Sequence, residues 1–313
     1  MGQPPLNRQT LDLSRWDGLE PANSDLPDTV VHHDGFWSTT DGEELYWQSW
    51  EATHPGQARG VVALVHGYHE HGARFSHVAA ALVAVGYDVM AIDLRGHGRS
   101  TGRRGFVERF GRYADDVALL KRRALHRFPD RPLFLMGHSN GGLVTLRYAL
   151  RKPSRICGFV VSNPLIELAA DVSRIKQALG RLSGRLLPRL SLPSGVDPAH
   201  LSHLPQVVRN YEQDPLVFGE ANARWFLEME RASSDLQARA AHLDQPFLFV
   251  VGSDDRIVDA GATEHFFHQL GSMDRELEVY PDLFHELLNE AQWKTVLSHI
   301  VIWMERHRTW AGQ

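Results

Sequence analysis

Cysteine is nearly missing from this 313-residue chain, and with Cys157 alone neither an intrachain disulfide nor a thiolate metal cluster can form. Long apolar runs are missing too; none approaches the 18 residues a bilayer-spanning helix needs. The opening residues, MGQPPLNRQT, lack the apolar core of a signal peptide, and Leu6 stands where a myristoylation signal wants Ser or Thr. Positive charge is not in excess: 33 Lys and Arg against 38 Asp and Glu give a net charge of −5, which argues against a dedicated nucleic-acid binder. Internal repeats and low-complexity tracts are absent. The hydrophobic fraction is 43% and the charged fraction 23%, ordinary globular usage at a length that can bury a full core. These counts favour a cytoplasmic protein.

What the chain does contain is alternation. Residues 1–28 are rich in Pro, Asn and Asp and read as an N-terminal arm. Residues 29–50 carry two strand-like runs joined by Asp41-Gly42, a strong hairpin signal. Continuous apolar runs at 60–66, 87–92, 133–137 and 156–162 then alternate with helical patterns, as in strands buried on both faces of a parallel sheet. Functional loops on such a sheet lie at the carboxyl ends of the strands. The alternation breaks after Pro164, and about 80 residues follow with helix-forming and turn-rich sequence but no clear strand, too long for a simple connection. It resumes with strands at 247–252 and 276–280 and a last helix ending near Arg308. The expected organisation is an arm (1–28), a first part of an α/β core (29–164), an inserted helical cap (165–245) and a second part of the core (246–313).

The sequence Gly137-His138-Ser139-Asn140-Gly141 sits between an apolar strand and a helix. A serine forced into a sharp strand-to-helix turn needs small neighbours two positions away, which Gly137 and Gly141 supply, with Gly142 keeping the helix start slim. The helix N-terminus offers backbone N–H groups to a developing oxyanion. Such a serine needs a base, and the base an orienting carboxylate, in the chain order Ser, acid, His. After the cap, one strand end offers Asp254, Asp255 and Asp259, and the next offers His285. Asp259 is better explained as the N-cap of the following helix. His265, His268 and His299 fall within predicted helices.

With these residues in place, the chain resembles the monoacylglycerol lipase and lysophospholipase branch of the α/β-hydrolases. The resemblance rests on His66-Gly67 with Glu70-His71, on residues 93–100 (DLRGHGRS), on the Ser139 elbow, on 252–259 (GSDDRIVD) and on the histidine loop from Tyr280-Pro281 to Glu290. It implies an α/β-hydrolase fold, a mostly parallel sheet flanked by helices with an inserted cap. It places the triad acid on Asp255, giving Ser139, Asp255 and His285, and implies an oxyanion hole from the backbone N–H groups of Tyr68 and Asn140. Asn140 departs from the family, which usually has Met there, and the variable Tyr68 ring is expected to narrow the acyl channel. The implied activity is serine ester hydrolysis of a single-acyl-chain lipid, a monoacylglycerol or lysophospholipid, with no cofactor. Other acyl transfer, amide or peptide hydrolysis on the same triad, or ligand binding on an inert scaffold, are the alternatives.

Other signals are weaker. His66, His69, Glu70 and His71 lie too close along an irregular loop to suggest a metal site. The glycine-rich loop 94–105 lacks the spacing of a phosphate cradle and, by the resemblance, braces the elbow. Lys121-Arg122-Arg123 reads as a solvated helix face. Within 168–190, Leu168, Val172, Ile175, Leu179, Leu182, Leu186 and Leu190 form an apolar stripe accompanied by Arg174, Lys176, Arg181, Arg185 and Arg189. Packing inside the cap is its simplest role; a basic amphipathic segment is also suited to transient contact with an anionic membrane surface.

Overall fold

The computed structural model describes residues 6–21, 25–53, 58–169 and 182–308. Its centre is an eight-stranded sheet built from β1 (Val30–Ser38), β2 (Glu44–Ala52), β3 (Gly60–Val65), β4 (Tyr87–Ile92), β5 (Leu133–His138), β6 (Gly158–Ser162), β9 (Phe247–Gly252) and β10 (Arg275–Tyr280), with β7 (Ser191–Pro193) and β8 (Glu220–Asn222) lying apart from it. The order is β1-β2-β4-β3-β5-β6-β9-β10. β1 pairs antiparallel with β2, and β2 antiparallel with β4; every other neighbouring pair is parallel. β3, β4, β5, β6 and β9 are buried along their whole length, which is why they read as unbroken apolar runs rather than alternating ones.

Helices cover both faces. α2 (Gly111–Arg127), α3 (Asn140–Ala149) and the helix Ala260–His268 pack on one, around Val117, Leu120, Leu146, Phe249 and Phe266. α1 (Ser76–Ala84) and the final helix, Trp293–His307, pack on the other, around Val78, Leu82, Phe134, Ile300 and Trp303. The second face also takes part of the N-terminal arm. Leu13–Trp16 forms a 3-10 turn, Trp16 is fully buried against Trp293, and its indole N–H donates to the Ala81 carbonyl at 2.9 Å. One indole therefore turns polar arm sequence into core.

Between β6 and β9, α4 (Pro205–Gln213) and α5 (Ala223–Ala238) are joined by turns, and residues 182–186 are helical. The expectation of no strand here needs correction: β7 (Ser191–Pro193) and β8 (Glu220–Asn222) pair antiparallel. Three residues each are too few to show a period, and Pro193 and Asn222 are poor strand formers, so the pairing comes from tertiary context. Asn222 explains the next step, because its side-chain oxygen accepts from the N–H groups of Arg224 and Trp225 and starts α5. Of the apolar stripe, Val172, Ile175 and Leu179 lie outside the described residues. Among the described residues no helix is long and apolar enough to cross a membrane.

Candidate active site

The strand ends of β3, β5, β9 and β10 and the stretch between β6 and β9 converge on one cavity, lined by Gly67, Tyr68, Ser139, His285 and apolar walls from Leu165, Leu168, Leu201, Trp225 and Ile257. Ser139 is the residue between β5 and α3. Its backbone is at φ 54° and ψ −119°, a conformation L-residues avoid. The strain is held from both sides: Ser139 N–H donates to the Ser162 carbonyl at 2.9 Å, and the Ser139 carbonyl accepts from Leu143 and Leu165 at 3.1 and 3.0 Å. The flanking glycines are required by space. A Cβ at residue 137 would collide with the Gly141 carbonyl oxygen and Thr145, and one at residue 141 with the carbonyl oxygens of Val65 and His66.

His285 follows β10. Its Nδ1 lies 2.6 Å from Asp255 Oδ2, and both side chains are essentially closed to solvent, at 4% and 0% exposure. The other oxygen of Asp255 accepts from the N–H groups of Ile257 and Val258 at 2.8 and 3.0 Å, so the carboxylate is fixed in one orientation. The geometry thus brings Asp255 to the histidine. Asp254 instead pairs with Arg256 at the surface, 3.0 Å away, and Asp259 caps its helix through the Ala262 N–H. An ionised carboxylate only accepts, so Nδ1 carries the proton and Nε2 is left as a bare base. Burial pulls the His285 pKa down, but the charges of Asp255, Glu286 and Glu70 and the Asp255 hydrogen bond outweigh it, and the net shift is upward. His138, its ring 4.8 Å from that of His285, is pushed down to about 3 by burial and by His285, and stays neutral.

Residues 66–71 face the serine from β3. A Cβ at residue 67 would lie 3.2 Å from Ser139 Cβ, so this loop is in contact with the elbow. Among the described residues no hydrogen bond uses the backbone N–H of Tyr68 or Asn140. The three histidines here are each taken up by the protein. His66 Nε2 accepts from the Leu94 N–H, His69 Nε2 lies 3.2 Å from the Glu220 carbonyl, and His71 Nε2 lies 2.8 Å from Asp214. Among the described residues no group of three His, Cys, Asp or Glu is arranged to hold a metal ion. The loop 94–105 touches this segment too, through Leu94 and through the Gly105 carbonyl, which accepts from the Tyr68 hydroxyl at 2.7 Å.

Sequence reasoning missed the supports of the site. Asn163, at the end of β6, donates to the His285 and Phe284 carbonyls at 2.6 and 3.3 Å and accepts from the Gly252 N–H at 2.9 Å, clamping the histidine loop to β9. Arg74 spans two buried carboxylates, Glu70 at 2.7 Å and Glu286 at 2.5 Å, while Glu70 accepts from the Gly67 N–H at 2.6 Å. Burial raises the Glu70 pKa despite Arg74; for Glu286 burial also pushes up, but Arg74 wins and the net shift is down. The usable signals were Glu70 and Arg74 four residues apart and Glu286 beside the histidine.

Known proteins resemble this chain over most of its length. The profile of the family described as "Serine aminopeptidase, S33" matches residues 56–292. A monoacylglycerol lipase of Mycolicibacterium smegmatis is 33% identical over 85% of this chain and 94% of its own length. The human monoglyceride lipase is 29% identical over 87% of this chain and 90% of its own. The crystal structure of the Paleococcus ferrophilus monoacylglycerol lipase superposes with a TM-score of 0.74 at 30% identity, covering 84% of this chain and 99% of that one. A strained serine elbow on a mostly parallel sheet, the profile match and these identities give one conclusion: the chain belongs to the serine aminopeptidase S33 family of α/β-hydrolases.

Proposed function

We propose that this serine ester hydrolase cleaves lipids carrying one acyl chain, monoacylglycerols first, through Ser139, Asp255 and His285. Ser139 Oγ attacks the ester carbonyl as His285 Nε2 takes its proton, and the N–H groups of Tyr68 and Asn140 receive the oxyanion. Collapse of the tetrahedral intermediate passes the proton from His285 to the leaving alcohol. Water, deprotonated by the same nitrogen, then releases the fatty acid and restores the serine. The observation that carries this reading is the 2.6 Å Asp255–His285 bond in the same cavity as a serine held at positive φ. The apolar walls suit an acyl chain, and the relatives' names supply the substrate class.

Amide or peptide hydrolysis is the competing chemistry on such a triad. A site for a free α-amino group needs an acidic partner, and the two glutamates lining the cavity, Glu70 and Glu286, are both committed to Arg74. That favours a neutral substrate. The cap supports delivery from a lipid surface: Leu182, Leu186 and Leu187 are 51%, 68% and 58% exposed, next to exposed Arg185 and Arg189. The test is a turnover panel of short esters, monoacylglycerols, lysophospholipids and aminoacyl amides, with Ser139→Ala as control. Monoacylglycerols should be preferred. Faster turnover of aminoacyl amides would overturn the substrate assignment.

A further inference from the structure

Residue 68 contributes more to its surroundings than a backbone N–H. Its ring stacks on Trp225 of α5 with centroids 3.6 Å apart and planes 16° from parallel, and Phe218 meets it edge-on at 5.4 Å. Its hydroxyl donates to the Gly105 carbonyl at 2.7 Å and accepts from the Asn222 N–H at 3.2 Å. Asn222 is the residue that starts α5, so the phenol is bonded to the cap at the point where its long helix begins. The next residue repeats the attachment. His69 Nε2 reaches the Glu220 carbonyl at 3.2 Å, and the His69 carbonyl accepts from the Phe218 N–H at 3.3 Å. His69 is also held at φ 73°, a conformation a non-glycine residue keeps only where its surroundings impose it. The segment facing the nucleophile is therefore fixed from its far side by cap residues 218–225.

We infer that the Tyr68 side chain is a positioning group through which the docked cap sets the direction of the Tyr68 backbone N–H toward the oxyanion. The inference rests on the proposed reading of that N–H as a donor. Its physical basis is angular. A hydrogen bond to a developing oxyanion loses strength steeply once it bends, and a preorganised donor is worth more than one that must reorient. Two hydrogen bonds on the hydroxyl and a stacked ring remove the rotations that would swing the N–H away. Cap docking and catalytic readiness are thereby one event: when Trp225 and Asn222 move off, the donor loses its support.

The test uses the full chain with Tyr68→Phe, which keeps the ring and its stack and removes only the two hydroxyl hydrogen bonds. With a short soluble ester, kcat should fall about tenfold at nearly unchanged KM, because an imperfect donor is felt in the transition state. A trifluoromethyl ketone, which adds to serine and places an oxyanion in the hole, should lose affinity by the same factor. A non-hydrolysable monoalkyl glyceryl ether, which forms no oxyanion, should bind as before. Phe218→Leu loosens the same contact from the cap side and should give the same split between the two ligands. Equal losses for ketone and ether, or a folded Tyr68→Phe with wild-type kcat, would overturn the inference. If Ser139→Ala is inactive while Tyr68→Phe matches wild type, only the positioning role fails; an active Ser139→Ala removes the hydrolase reading beneath it.

Discussion

The choice between two adjacent aspartates turns on where each carboxylate finds its partners. Asp255 spends one oxygen on two backbone N–H groups and the other on His285, whereas Asp254 meets only a surface arginine. Asp255→Asn should therefore lower kcat by about 10⁴, since an amide permits the wrong imidazole tautomer, and Asp254→Asn should stay near wild type. Steady-state kinetics on a short ester checks both. The raised pKa of His285 fixes the sign of the pH profile. As the proposed base, His285 works only when neutral, so kcat/KM should climb with pH through a midpoint above the usual 6.5, and the midpoint should drop in Asp255→Asn. Stability runs the other way. Protonation of His285 favours the folded state fully below the unfolded pKa, and that contribution is lost as pH rises through the folded value. Candidates for these roles stood out in the sequence because each role demands one residue type at a strand end. The choice of Asp255 over Asp254 was not legible from the residues alone and came from the family resemblance.

The elements tell a different story for the core and the cap. Strands buried on both faces announce themselves as apolar runs, and α2 between them shows a 3.6-residue period, so the alternation of the core was readable. The β7–β8 pair was not, because its stability comes from docking rather than from local preference. Clamps such as Asn163 were hidden for the same reason: an asparagine before a proline looks like an ordinary turn residue. Asn163→Ala should release the histidine loop and reduce kcat by about tenfold or more while KM changes little, which the same ester assay reads directly. The exposed leucines of the cap carry their own prediction. Replacing Leu182, Leu186 and Leu187 with Ser should reduce turnover of a long-chain monoacylglycerol in vesicles far more than that of a short ester. Equal losses on both, with a lower melting temperature, would show that these leucines serve cap packing instead.

For the molecule as a whole, two apolar layers hold one sheet, and the cavity sits where the sheet's carboxyl ends meet the stretch between β6 and β9. The N-terminal arm is part of the second layer through Trp16. Trp16→Ala should cost about 3–5 kcal/mol, seen as a lower denaturation midpoint in urea, with kcat retained at low temperature because neither Trp16 nor its partners Ala81 and Trp293 line the cavity. The central claim is that an acyl group passes through Ser139. Rapid acid quenching of the enzyme during turnover of a long-chain ester, followed by peptide mass spectrometry, tests it most directly. The account predicts one acyl adduct, on the peptide containing Ser139, that forms within the first turnover and disappears once substrate is consumed. An adduct on another residue, or undiminished turnover by Ser139→Ala with no adduct at all, would contradict it.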